Sequence, residues 1–489
     1  MATTAPPGRT ATRPRQPSAR AREAEAARFR RALVLLGGTL VLPGIAQFVA
    51  GNRNLGRTVL QFWALLVGAV AVVAWLVPMD TLIGLAVRPS LLTAFKVLAF
   101  VVAAAWLALL IDAWRLANPP RLSQQHRLVV VALVLALATA IAAPFFLAAR
   151  YASAAHNAVV AMFPSGQVAA ASDGRLNILL LGSDAGLGRT GSRPDSINVV
   201  SVDVRTGAAV VIGIPRNLER ARFPQGSPAA AEFPRGFTGE GDRGNWMINS
   251  TWTFGENNPE LFPDVDHPGL EAVRQAAEGT LGLPVHYHVV VNMEGFRELI
   301  DAVGGVTIRV EDDIPIGQTG RVVEAGLREL DGGEALWYAR SRTGTNDYDR
   351  MARQRCIFGA MANELDPSTV LQKFTTLADA SSGLADTNIP QQQLPQLVEL
   401  AWQAKELPIT SIQLVPPLIV PAEPDFGVIS DEVDTALREA RQAALDAAAE
   451  TEDSGPADSE KSNGSDGSDG DQEAVPVPVV DIDDVCSYE

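Results

Sequence analysis

The chain has 489 residues, a net charge of −16 and two cysteines. Its charge is split: residues 1–150 hold 16 basic and 4 acidic side chains, and residues 151–489 hold 24 and 52. The second part, at net −28, repels phosphate polymers, which excludes general nucleic-acid binding, and no Cys-x-x-Cys or Cys/His spacing offers a zinc site.

Residues 1–31, with eight arginines against two glutamates, read as a disordered basic tail. Residues 32–150 read as a membrane region. Within it, spans are expected at about 58–78, 91–113 and 128–149, preceded by a fourth apolar stretch at 32–50. Pro43-Gly44 interrupts that first stretch, which suits a re-entrant or interfacial hairpin. Arginines follow the first and third stretches (Arg53, Arg57; Arg115, Arg121, Arg127), whereas the loop after the second holds Asp80 and Arg88. The positive-inside rule then keeps the tail and both arginine-bearing loops in the cytoplasm. Three crossings follow, and the acidic part lies outside. The competing arrangement has four spans and an internal acidic domain.

Residues 151–174 form an Ala-rich stalk, and 175–449 the main domain. Apolar runs at 177–184, 197–204 and 208–216 read as strands, the last two joined by a short turn and hence antiparallel. Asp184 and Asp195 stand at strand ends, with Arg193 and Arg216 near them. Such carboxylates beside arginines suit Mg2+ (magnesium) with a phosphate; the plainer reading is turn and cap residues. A long Pro- and Gly-rich segment at 217–267 is functional or mobile. Helices at 267–282 and 296–305 alternate with strands at 285–293 and 306–314. His286 and His288 share one strand face and read as structural. Alternation of this kind predicts an α/β domain with a mixed central sheet flanked by helices.

The stretch from Trp337 to Cys356 opposes its acidic surroundings, with five arginines and no lysine. WYARSR reads as a strand end placing Arg340 and Arg342 on one face, then a turn. A helix follows with Arg350, Arg353 and Gln354 on one stripe. Guanidinium forks bind phosphate bidentately and keep their charge. The cluster reads as a phosphate or pyrophosphate site; a solvated, ion-paired helix face is the other reading.

Helices are expected at 367–380, 391–405 and 430–449, with a strand at 409–415. Residues 450–472 are a disordered acidic linker and 473–489 a C-terminal tail that docks back on the domain. In an extracytoplasmic setting Cys356 and Cys486 can form a disulfide that clasps this tail; two free thiols are the alternative.

The blocks NILLLGSD, DSINVVSVDV, IGIPRNL, INSTWTFG, FRELIDAVGGVTI and LDGGEALWYARSRTGTNDYDRMARQRC, in this order, resemble the LytR-CpsA-Psr family over about 175–365. The resemblance implies a membrane-anchored phosphotransferase. Such an enzyme moves an anionic glycan from a polyprenyl-pyrophosphate carrier to a peptidoglycan hydroxyl and forms a phosphodiester. It further implies that the prenyl chain enters an apolar pocket beside the sheet. Family positions fall on Asp184 and Asp195 for the metal, on Arg193, Arg216, Arg340, Arg342, Arg350 and Gln354 for the pyrophosphate, and on Asp347. Arg216, Arg340, Arg342, Arg350 and Asp347 would be catalytic. Two departures are Asn217, where the family usually has Asp, and Met247, where it often has Lys. The same site would also serve a polyprenyl-pyrophosphate hydrolase, in which water replaces the sugar hydroxyl, and the two departures leave open a non-catalytic envelope binding or regulatory protein.

Overall fold

The computed structural model describes residues 19–118, 122–183, 193–317, 320–342, 346–364, 385–405, 407–453 and 479–481. These fall into two compact units, one made of residues up to 78 with 93–153, the other of 79–92 with 154 onward.

The first unit is helical. Helix α1 (Ala19–Val41) begins inside the stretch expected to be disordered, because its Ala, Glu and Arg are strong helix formers. It ends at the Pro43-Gly44 turn, where Gly44 takes a positive φ of 95°. Helix α2 (Ile45–Ala50) is short. Helix α3 (Arg53–Leu76) starts on Asn52, whose side chain accepts from the Asn54 and Leu55 amides. After α4 (Met79–Ala86) come helices α5 (Pro89–Leu116) and α6 (Gln124–Met162). Among the described residues, α3, α5 and α6 are long and apolar enough to cross a membrane. The expected stalk is helical as far as Met162.

The second unit is built on a seven-stranded mixed sheet of order β11-β10-β3-β2-β1-β4-β9. Its strands are β1 (Arg175–Ser183), β2 (Pro194–Asp203), β3 (Ala209–Ile214), β4 (Tyr287–Asn292), β9 (Ala385–Thr387), β10 (Thr410–Gln413) and β11 (Val479–Asp481). β1 pairs parallel with β4, and β3 with β10; the other pairs are antiparallel. The helices are α7 (Pro228–Glu232), α8 (Thr251–Asn257), α9 (Pro268–Leu281), α10 (Met293–Val303), α11 (Gly332–Arg340), α12 (Asp347–Glu364), α13 (Leu394–Lys405) and α14 (Phe426–Asp453). One sheet face, carrying Leu179, Leu181, Val199 and Ile212, packs under α8, α9 and α14. The segment 217–267 is folded onto this core rather than loose, since Phe237, Ile248, Trp252 and Phe262 are buried in it. At one end of the opposite face, Leu176, Tyr287, Leu394 and Leu400 form a smaller core. Helix α4 packs on α13, and Val87 lies against the same small core.

The strand expected at 306–314 is displaced from the main sheet. β5 (Val306–Val310) pairs with β8 (Gly326–Leu330), and β6 (Ile314–Pro315) with β7 (Val322–Val323). Their apolar side chains form a separate core with α10, α11 and α12. Arg175 and Asp203 are buried, 3.6 Å apart, and Arg441 of α14 reaches Asp203 at 2.5 Å, tying that helix to the sheet. Cys356 is disulfide-bonded; the chain's other cysteine, Cys486, lies outside the described residues, as do the expected helix 367–380 and the linker beyond Asp453. β11, from the C-terminal tail, adds to the sheet beside β10.

Candidate active site

Trp337 to Arg340 is helical, not the expected strand end. Asp331 caps α11 by accepting from the Glu334 amide, and Ala335, Tyr338 and Ala339 bury one stripe against the small core. The cap and the stripe override the strand preference of Trp and Tyr. Arg340 therefore ends a helix, exposed, and Arg342 stands two residues beyond it.

Helix α12 begins with a reciprocal cap. Asn346 Oδ1 accepts from the Tyr348 and Asp349 amides, and Asp349 Oδ2 accepts from the Asn346 amide. This fixes Asp347 in the first turn, where a carboxylate is favoured by the helix dipole. Arg350 follows three residues on, 2% exposed.

Four elements meet here. Asp195 comes from the start of β2, Arg216 from just past β3, Arg342 from the end of α11, and Asp347 and Arg350 from α12. Arg216 donates from Nη1 to Asp195 Oδ1 at 2.5 Å and from Nε to Asp347 Oδ2 at 3.3 Å. Arg350 donates to both Asp347 oxygens, at 3.2 and 3.1 Å, and to the Asp195 carbonyl at 2.9 Å. Arg342 approaches Asp195 and Asp347 only to 3.7 and 3.8 Å and is 50% exposed. It is thus the fork most available to an incoming anion. Three guanidiniums against two carboxylates leave a local excess of one positive charge. Burial works against charge on both Arg216 and Asp347. For Arg216 the adjacent Asp347 and Asp195 outweigh it and raise the pKa. For Asp347 the bonds and charge of Arg350, then Arg216 and Arg342, outweigh it and hold the carboxyl below its usual range.

The surroundings hold Arg216 in place: its carbonyl accepts from the Asn249 amide, and the next turn from the Ile248 amide to Leu218. Asn217 Oδ1 is buried with no hydrogen-bond partner among the described residues, and Met247 pairs with Glu219. Not every expected residue joins the cluster. Arg193 donates to the Gly244 carbonyl and Asn245 Oδ1, bracing the loop that supports Arg216. Arg353 donates to the carbonyls of Tyr338 and Ser341 and so fixes the end of α11. Gln354 donates to the Ala339 carbonyl at 3.3 Å and lines a small pocket with Asp195, Arg216 and Met351. Asp184 lies outside the described residues. His286 accepts from the Asn177 amide and bonds Ser172, and His288 sits 3.6 Å from Asp386; both are structural.

Among the described residues no group of three metal-binding side chains occurs. Both Asp347 oxygens are taken by arginines, whereas Asp195 meets Arg216 and Arg342 through Oδ1. A Mg2+ ion, which takes one or two carboxylates and completes its shell with water and phosphate oxygens, would be held here through Asp195.

The fold and the site define an α/β domain that carries a guanidinium–carboxylate cluster and follows a set of apolar helices. The chain belongs to the LytR_cpsA_psr family, whose sequence model matches residues 145–425. A relative from Oceanobacillus iheyensis, the polyisoprenyl-teichoic acid–peptidoglycan teichoic acid transferase TagU, is 30% identical over 225 residues, 46% of this chain and 62% of that one. The regulatory protein MsrR of Staphylococcus aureus is 29% identical over 227 residues, 46% of this chain and 59% of that one. The chain thus spans about 62% and 59% of the length of these relatives. Among solved structures, TagV of B. subtilis is similar at 23% identity and a TM-score of 0.41, over 55% of this chain and 98% of that one. At that identity and score it adds nothing to the assignment.

Proposed function

We propose that this domain is a phosphotransferase that moves an anionic glycan from a polyprenyl-pyrophosphate carrier to a hydroxyl of peptidoglycan. The observation that carries the reading is the meeting of Arg216, Arg342 and Arg350 around Asp195 and Asp347 in a family member that also has apolar helices. The name of the TagU relative, with its polyisoprenyl donor and peptidoglycan acceptor, supports it.

Arg342 and Arg216 grip the pyrophosphate oxygens bidentately. Arg340, at the end of α11, adds charge on the same side. Arg350 is buried and acts as a positioning residue: it holds Asp347 and the Asp195 backbone. An acceptor hydroxyl oxygen attacks the glycan-side phosphorus while its proton passes to a carboxylate, the bond from phosphorus to the bridging oxygen breaks, and prenyl phosphate leaves with the electron pair. Preorganised guanidiniums stabilise the charge that builds on the leaving group. Asp195, with Asp184, would hold Mg2+, which supplies further neutralisation of phosphate charge when bound.

The lipid lies against the half-buried apolar positions Ile178, Leu180, Val200 and Val289 of the sheet. The membrane reading is of three crossings by α3, α5 and α6 with the domain outside. The packing of α4 on α13 supports it, because it keeps the loop between the first two crossings on the domain's side. The test is release of prenyl phosphate from a lipid-linked glycan with and without peptidoglycan fragments. Acceptor-dependent release with a phosphodiester product supports the transferase; full-rate release without acceptor makes the protein a hydrolase instead.

A further inference from the structure

The second face of the sheet changes character along one cross-strand row. Register places Val289 of β4, Leu180 of β1, Asn198 of β2, Gly213 of β3 and Gln413 of β10 side by side. The row is apolar on β4 and β1 and polar on β2 and β10. Gly213 is what lets the polar end form: a Cβ there would stand 2.1 Å from Gln413 Oε1, so the carboxamide lies flat over the glycine. Both Asn198 and Gln413 line the cavity that holds Asp195, Arg216 and Gln354. Asn198 uses one amide hydrogen on Ser196 Oγ at 3.0 Å. The Gln413 carboxamide makes no hydrogen bond among the described residues, and neither residue has a charged partner there. Asn198 is buried and Gln413, the last residue of β10, is half-buried, and the two amides are not paired to each other. They offer donors and acceptors together and carry no charge. That set matches hydroxyl groups better than a phosphate, which wants donors and positive charge.

We propose that Asn198 and Gln413 form a sugar-hydroxyl subsite, binding the first ring of the glycan attached to the pyrophosphate. The proposal rests on the pyrophosphate reading above and adds which wall takes the sugar. The charged cluster takes the phosphates, the amide end of the row takes the ring, and the apolar end is left for the lipid. Gln413 is then a specificity residue, acting on the sugar and not on the phosphates.

The test is binding of the full chain, in detergent micelles, to two probes: farnesyl pyrophosphate, and the same lipid carrying one hexose on its distal phosphate. The wild type is expected to bind the hexose-bearing lipid more tightly. Gln413→Met, of matched length without hydrogen-bonding groups, should weaken that lipid about fivefold and leave the bare lipid unchanged. Gln413→Glu should stay within about threefold of wild type for the hexose-bearing lipid, because a carboxylate accepts from hydroxyls. Gly213→Ala, which evicts the carboxamide, should reproduce the selective loss. A parallel loss for both lipids in Gln413→Met, or a large loss for both in Gln413→Glu, assigns the amides to phosphate and overturns the proposal. Unchanged binding of both lipids in Gln413→Met and Gly213→Ala also overturns it. A wild type that binds neither lipid refutes the pyrophosphate reading itself, and that outcome is distinct from the others.

Discussion

Replacing Arg350 with alanine tests how the cluster is held together. Arg350 is 2% exposed and makes two bonds to Asp347 and one to the Asp195 carbonyl. Removing one partner of a buried pair costs about 3–5 kcal/mol, mostly because the other charge is left unpaired. Here Asp347 keeps Arg216 at 3.3 Å and is 22% exposed, which lowers the cost. The expected loss is about 2–3 kcal/mol, with part of it from the orphaned Asp195 carbonyl. For a domain of this size that shifts the melting temperature down by roughly 5–10 °C. The assay is thermal unfolding of the purified full chain, with Arg350→Lys alongside. Lysine keeps the charge but cannot reach three acceptors in a fork, so it should recover less than half of the loss. If Arg350→Ala melts within about one degree of wild type, Arg350 is not a brace and the positioning argument fails.

Arg342→Ala should leave the melting temperature nearly unchanged, because its contacts are loose and half exposed, yet weaken pyrophosphate binding at least tenfold; scanning calorimetry reads the first and titration calorimetry the second. Asp203→Ala should destabilise by about 3–5 kcal/mol in a denaturant titration, since it strands Arg175, whose pKa burial has already lowered to about 10 despite the nearby Asp203 carboxylate. Asp347 has a lowered pKa in the fold, so its contribution is complete above the ordinary carboxylate value of about 3.9 and is lost as pH falls through the lower folded value. Melting temperature should therefore fall less steeply below about pH 4 in Asp347→Asn than in wild type. Chelation of divalent cations should stop turnover and leave the melting temperature within a few degrees, and readdition of Mg2+ should restore the rate.

Much of this arrangement was legible in local sequence. The apolar runs that became β1, β2 and β3 declared themselves, as did the Gly282 and Gly304 helix stops, both at positive φ. The Asn346-x-x-Asp349 pattern is the local signal that places Asp347 in a first helical turn. The helix ending at Arg340 was misread because its decisive feature is the Asp331 cap, nine residues upstream, together with burial of Tyr338 in a core assembled from β5, β8 and α12. Arg193 and Arg353 looked alike with the binding arginines on paper. What separates them is which carbonyl each meets, a property of the tertiary fold. The row Asn198–Gly213–Gln413 joins strands some two hundred residues apart in the chain, so its register was invisible locally; the only hint was a polar residue in each of two apolar strands.

The most direct test of the central claim is a structure of the full chain with a polyprenyl pyrophosphate bound. The phosphate oxygens should lie within hydrogen-bonding distance of Arg342 and Arg216, about 3 Å, with the lipid along Leu180 and Val289. Phosphates bound elsewhere, with the Asp195–Arg216–Asp347 contacts closed and no ligand between Arg342 and Arg216, would contradict the account.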